Sequence, residues 1–438
     1  MLTKTWLKNF KAHAQTEIEF RRITLFIGPN NSGKSSLGQA LILLRQAAAR
    51  GNPGLTVPVQ RKATSQNDPY LYPEDQLIDL GDFGHIVRRG QTGIVIGLEG
   101  SLEFSKASEP ANGFHVNLEV GITDNNLTSH QGAVRFSWQS SSGTLNWKWF
   151  AGMQGLPTIL QYAGAVMQFI PQGNFQFFTP AGVTQQGNVP REVMAEIQTL
   201  QSELIRSPGS LLNSLHPIFP LRGLEERGSP LTNVPARNLE RMCVADRTVA
   251  LLSMLAYDLD LQERVSNWLD KLVQLRIKVP LLPGKRVTLL SAPTNSKGAD
   301  SLFMNEGTGA NQLPFILVPI GISPPGETIL LAEPEVHLHP KMQSKLVSLL
   351  VNLAHEESRQ FVIETHSEHI LHSVLYAVAK GDLSPSDIAI YYFDKKNGII
   401  ESRKLEVSAK GQIEGGLPGF FEQSLDELSE YLEALKKN

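Results

Sequence analysis

The sequence predicts an α/β fold, and three observations carry that expectation. Short buried-strand runs alternate with helical patterns in residues 287–393, as they do in a layered sheet. A buried run at 23–27, a glycine-bearing turn and a helical pattern at 36–50 follow one another near the start. Segments at 94–104, 114–122 and 132–138 read as strands separated by Gly, Asn and Ser clusters, which adds an antiparallel β lobe to a mixed sheet.

Taken in order, residues 2–27 read as strand, turn, strand, strand, with Thr16 to Phe20 alternating and Ile23 to Ile27 buried throughout. Leu37, Ala40, Leu41 and Leu44 space the following helix, and Gly51-Asn52-Pro53-Gly54 ends it. Residues 125–190 carry only two formal charges, Arg135 and Lys148, among Gln, Gly, Ser and aromatics. Such a stretch suits an inserted domain with an uncharged polar face, or a surface that binds a target or another copy. Helices are expected at 190–206, 245–275, 311–320 and 340–356, and strands at 287–291, 328–332, 360–364 and 387–393.

The chain's 438 residues suffice for two or three domains, and 41% hydrophobic content supplies their cores. A net charge of -3 gives no bulk attraction to nucleic acid or anionic lipid, so any nucleic-acid contact needs a local patch. Cys243 is the single cysteine, which excludes an intrachain disulfide and a cysteine-built zinc site and fits a reducing compartment. No stretch reaches the roughly 18 apolar residues of a spanning helix, and Lys4, Lys8 and Lys11 are followed by no signal-like apolar run. The expectation is a cytoplasmic protein without a membrane partner.

Gly28-Pro29-Asn30-Asn31-Ser32-Gly33-Lys34-Ser35 fits G-x-x-x-x-G-K-[ST] between a buried strand and a helix start. In that context, with Ser36 completing the turn, the glycines let main-chain N–H groups wrap a triphosphate and Lys34 adds a charge near the β and γ oxygens. ATP is thus the expected ligand, with Ser35 left to hold Mg²⁺. The buried run 328–332 delivers Glu333-Pro334-Glu335 at its carboxyl edge, where Glu333 can position water or act as general base. The run 361–363 delivers Glu364-Thr365-His366-Ser367, and the His366 imidazole can donate to a γ-phosphate. Asn305 to Gln312, with Gly307 and Gly309 opening a helix, reads by itself only as a helix cap with room for an anion.

In this succession the four features resemble the ABC-type heads of the recombination-protein-F and chromosome-maintenance ATPases. They most resemble the prokaryotic AAA/ABC branch that includes the overcoming-lysogenization-defect ATPases. Leu7-Lys8-Asn9-Phe10-Lys11, the Glu-Pro-Glu-x-His-Leu-His-Pro run at 333–340 and Glu364-Thr365-His366-Ser367 carry the resemblance over residues 1–104 and 285–395. It implies an ABC-type P-loop ATPase head with an inserted, partly helical region at 105–284. The segment 396–438, with Gly411 and the run Gly416 to Glu422, resembles an uncharacterised cap module. It also implies that Gly307, Gly309 and Gln312 form a signature segment meeting the γ-phosphate held by a second subunit. Glu333 becomes the catalytic glutamate, His366 the switch histidine, and His337-Leu338-His339 the loop at the dimer interface. A metal site at the histidine pair is the other reading of that loop.

One position departs from the pattern. The residue before the glutamate is usually Asp or Glu and holds Mg²⁺ through water, and here it is Ala332. That substitution implies a slow ATPase in which Glu335, or Ser35 with phosphate oxygens alone, holds the metal. Gln60, Gln66 and Gln76 all remain open as the Gln-loop residue. The functional expectation is a homodimeric or larger ATPase, sensor or motor for a separate effector in bacterial defence or DNA maintenance. The alternatives are an ATP-dependent nuclease, for which a cluster of carboxylates after His366 is lacking, and a non-hydrolysing ATP-gated scaffold.

Overall fold

Short runs dominated by Ile, Leu, Phe and Val, such as 23–27, 329–331 and 361–363, are buried on both faces and are stable as strands covered on both sides. A computed structural model describes residues 1–50, 80, 83–104, 112–124, 126–138, 141–152, 158–173, 177–185, 189–220, 229–230, 244–284, 286–294 and 298–416. The first half comprises β1 (Leu2–Phe10), β2 (His13–Glu19), β3 (Ile23–Ile27), α1 (Lys34–Arg50), β4 (Ile94–Phe104), β5 (Asn112–Thr123), β6 (Asn126–Trp138), β7 (Ser141–Phe150), β8 (Thr158–Tyr162), β9 (Ala165–Pro171), β10 (Phe178–Gln185), α2 (Arg191–Asn213) and β11 (Leu215–Ile218). The second comprises α3 (Val244–Tyr257), α4 (Leu259–Val273), α5 (Thr308–Ile322), β12 (Thr328–Ala332), α6 (Pro340–Glu356), β13 (Gln360–Glu364), α7 (Glu368–Lys380), β14 (Ile388–Lys396) and β15 (Ile399–Leu405).

The central sheet runs β11-β12-β13-β3-β14-β15, parallel except for the last strand. Alternation along its strands builds two cores. Phe26, Leu330, Val362 and Phe393 face α1, α2 and the antiparallel sheet β2-β1-β4-β5-β6-β7. Leu25, Ile329, Leu331, Phe361, Ile363 and Ile390 face the other way, into a core shared with α4 to α7. The α/β class and the antiparallel lobe are as expected. Buried Gln360 joins the two sheets: its amide donates to Leu2 O (2.8 Å) and Arg21 O (3.0 Å), and its oxygen accepts from Leu2 N–H (2.8 Å). Every polar atom of that side chain is therefore satisfied.

Three differences from the expected elements have physical reasons. The helix expected over 245–275 is two, because Asp258 adopts extended backbone and its carboxylate accepts the Leu261 N–H at 2.9 Å, capping α4. The helix expected to stop at 206 continues to Asn213 through Pro208, held by buried Leu211 and Leu212 on the same apolar face. β7 to β10 were not expected at all; their alternation is masked by Gln, Ser and Gly on the exposed side. Cys243 and the three candidate Gln-loop residues lie outside the described residues, as does the run from Leu417 to Glu422. Among the described residues no helix is long and apolar enough to cross a membrane.

Candidate nucleotide site at the carboxyl edge of the sheet

Parallel strands present their carboxyl ends together, and here three adjacent ends converge. The Glu333 N–H donates to Glu364 O (2.8 Å) and the Thr365 N–H to Phe26 O (3.0 Å), so the ends of β12, β13 and β3 are stitched in register. The loop leaving β3 turns back over them. Gly28 has φ +139°, and a Cβ there would lie 2.1 Å from Phe393 O. Gly33 has φ +96°, and its Cβ would meet the Ile400 side chain at 2.0 Å. Both glycines are demanded by conformation and by close approach together.

The loop is also held from beneath. The His13 Nε2–H donates to Gly33 O (3.1 Å), and Nδ1 accepts from the Thr16 hydroxyl (2.8 Å). Burial pushes this imidazole down to about 4, so it is neutral and its tautomer is fixed by these partners. Pro29, Asn30 and Asn31 form the exposed crest, while Ser32 is buried. The Ser36 N–H donates to Gly33 O at 3.1 Å as α1 begins.

Lys34 is buried, and its ammonium donates to Gly28 O (3.0 Å), Pro29 O (2.8 Å) and Ser32 Oγ (3.3 Å). Burial lowers its pKa, while the charges of Glu364, Glu333 and Glu335 raise it. Three carboxylates from two strand ends thus surround one lysine. Burial pushes Glu364 up; a hydrogen bond from the Ser35 hydroxyl and the Lys34 charge oppose that. Burial also pushes Glu335 up, against the His366 N–H that donates to its Oε1 at 2.7 Å. Glu333 occupies the left-handed region at φ +42°, a conformation costly for a non-glycine residue. Its Oε1 lies 3.9 Å from His366 Nε2. Burial and the Lys34 charge lower the His366 pKa, favouring the neutral ring.

Gly28 to Ser36, Glu333 and His366 are therefore gathered at one place. Gly307, Gly309 and Gln312 open α5, and a Cβ on Gly309 would lie 2.5 Å from His337 O. Gln312 is buried there. His337 is exposed with φ +61°, and His339 caps α6, its Nδ1 accepting the Lys341 N–H at 3.2 Å. Among the described residues no group of three or more His, Cys, Asp or Glu is placed to hold a metal by itself. A nucleotide-bound Mg²⁺ needs fewer protein ligands, and the hydroxyl and carboxylate oxygens beside Lys34 are the hard donors it takes.

Some contributors carry no signature of their own in the sequence. Gln343 on α6 donates to Leu338 O (2.8 Å) and accepts from the Ser367 hydroxyl, tying the two strand-end loops together. Phe393 and Ile400 wall the loop glycines. A cavity of about 300 Å³ opens beside Ser35, Ala332, Glu333 and Glu364 and runs inward over Phe26 and Val362.

Residues 1–85 and 303–371 match an AAA ATPase domain family, and residues 383–430 match a family of proteins of unknown function (DUF3696). No curated protein matches the chain. Among solved structures, the SMC head domain from Thermotoga maritima aligns with 12% identity and a TM-score of 0.39, over 93% of this chain and 99% of that one. An SmcHead bound to the C-winged helix domain of ScpA aligns with 14% identity and a TM-score of 0.43, over 93% and 98%. An Smc head domain bound to the C-terminal domain of ScpA, derived from Pyrococcus furiosus, aligns with 11% identity and a TM-score of 0.38, over 98% and 99%. The match that bears on the site is the first, since its two pieces contain the Lys34 loop and the strand ends carrying Glu333 and His366: these residues are similar to an AAA ATPase domain, divided along the sequence and followed by a segment similar to DUF3696.

Proposed function

We propose that the protein binds ATP and Mg²⁺ on residues 28–36 and hydrolyses the γ-phosphate, with two copies of the chain completing each other's sites. The head would comprise residues 1–104 and 285–395, with 105–284 inserted and 396–438 as a cap module. The observation that carries the reading is the convergence of Lys34, Glu333 and His366 at three stitched strand ends.

In this reading the loop amides and Lys34 hold the triphosphate, and the Ser35 hydroxyl is a metal ligand. The bound ion neutralises charge on the phosphate oxygens. Glu333 accepts a hydrogen bond from water aligned on the γ-phosphorus. As the P–O bond to the β-phosphate breaks, that water's proton passes toward the carboxylate, leaving ADP and phosphate. Neutral His366 donates to a γ-oxygen from the opposite side of Glu333 and so distinguishes ATP from ADP. Gly309 packs on the 337–338 turn at the start of α5, and the resemblance in motif order supports Gly307, Gly309 and Gln312 serving the nucleotide of a second copy. The resemblance in motif order supports a role as sensor or motor for a separate effector, in bacterial defence or DNA maintenance.

Phosphate release and solution mass test this together. Glu333→Gln is expected to lower turnover by about 10²-fold or more while retaining ATP, and to double in mass when ATP and Mg²⁺ are added. Lys34→Ala is expected to lose both the nucleotide and the mass change. A chain that stays monomeric when saturated with ATP would remove the shared site. Equal, near-zero release from wild type and Glu333→Gln would favour the ATP-gated scaffold that Ala332 motivates.

A further inference from the structure

The strand that ends in Ala332 offers no side-chain oxygen at the position next to Glu333, yet the neighbouring strand offers one in the same row. In the β12/β13 register Ala332 pairs with Glu364, and in the β13/β3 register Glu364 pairs with Phe26. β13 lies between β12 and the loop-bearing β3, so a carboxylate at 364 is one strand nearer the P-loop than a carboxylate at 332 would be. The Ser35 hydroxyl already donates to Glu364 Oε1, across 329 residues of sequence.

We propose that Glu364 supplies the protein carboxylate of the Mg²⁺ site, replacing from the adjacent strand the acidic group that position 332 lacks. The inference rests on the nucleotide-site reading above and deepens it by assigning the metal's second protein ligand. The two other carboxylates are committed elsewhere. Glu335 receives the His366 N–H on Oε1 and is largely buried. Glu333 faces His366. Glu364 alone touches the hydroxyl that the loop motif dedicates to the metal, and its main chain is fixed by the Glu333 N–H. A hydroxyl and one carboxylate, completed by phosphate oxygens and water, make an ordinary Mg²⁺ environment at a nucleotide site.

The test uses a fluorescent, non-hydrolysable ATP analogue titrated in EDTA and in Mg²⁺ against wild type, Glu364→Gln, and Glu364→Gln combined with Ala332→Asp, with Mn²⁺ binding followed by electron paramagnetic resonance. The expected result is that Mg²⁺ tightens binding to wild type and that Glu364→Gln loses about 10- to 100-fold of that tightening. Binding in EDTA is retained, and tightened if anything because one carboxylate beside Lys34 is gone, which shows the variant folded. Ala332→Asp then restores the Mg²⁺ effect in the same chain. An undiminished Mg²⁺ effect in Glu364→Gln overturns the proposal. So does a loss that Ala332→Asp fails to restore, which would leave Glu364 only the positioning of Ser35. Wild type that holds no analogue in either buffer would instead sink the nucleotide site itself.

Discussion

At the carboxyl edge of the central sheet, Lys34 shares its surroundings with Glu333, Glu335 and Glu364, burial works against three of these four charges, and Glu333 is held at φ +42°. In the antiparallel lobe, the buried polar group is His130, and nothing about it is under strain. Its ring stacks on Trp149 at 5.3 Å, its Nδ1 accepts from Trp147 Nε1 at 3.0 Å, and its Nε2 donates to Gln172 O at 2.6 Å. Both regions bury polar atoms, but His130 in the lobe is satisfied by fixed neutral partners while the edge leaves charge to be balanced by a ligand. The difference separates where this fold stores stability from where it keeps reactivity.

The sharpest way to exploit that separation is to damage the lobe. Trp147 is buried, packs edge-on to Phe178 at 4.8 Å and supports His130. Trp147→Ala is expected to cost about 3–5 kcal/mol, read as a shift in the urea midpoint, while ATP affinity of the folded fraction is unchanged. A loss of affinity would mean the two regions are coupled.

Acid should strike both regions, because each holds one neutral histidine. Burial pushes His130 and His13 down to about 4 from the ordinary 6.5. Between those values the unfolded chain binds a proton that the native chain refuses, so stability is complete above pH 6.5 and is lost as pH falls toward 4. At pH 5 the expected loss is about 2 kcal/mol per histidine, measured as unfolding free energy against pH 7.5. His130→Gln should remove one of the two contributions.

The smallest effect has the opposite sign. Glu333→Gly relieves the left-handed backbone and should raise stability by about 1 kcal/mol while abolishing turnover. An unchanged melting temperature would show that the strand-end stitching, rather than the side chain, sets that conformation.

Much of the central sheet was legible because both of its faces are covered. Ile23 to Ile27, Thr328 to Ala332 and Gln360 to Glu364 have apolar centres, and their expected bounds coincide with the strands. α6 was equally plain from Pro340 at its start. The lobe was half legible: β9 alternates Ala165, Met167, Phe169 inward, but Val166 and Ile170 on the other side blur the period. Pro208 hid the second half of α2, since a proline normally ends a helix and here buried leucines carry it onward. At the site, Lys34, Glu333 and His366 could be named from motifs. The Ser35 to Glu364 contact could not, because it depends on which strand lies beside β3, and register between segments more than 300 residues apart leaves no local trace.

That same arrangement has a temporal side. β3 is flanked in the sheet only by β13 and β14, and the backbone of Gly28 and the flank of Gly33 rest on Phe393 and Ile400. A ribosome that has released the entire P-loop, and the lobe after it, has not yet made either neighbour of the strand that bears it. The early hydrophobic strand must wait, unpaired by its sheet neighbours, for about 330 residues of synthesis, and closure over such a span is slow. Competence to hold a nucleotide is therefore acquired only after both β13 and β14 have been made.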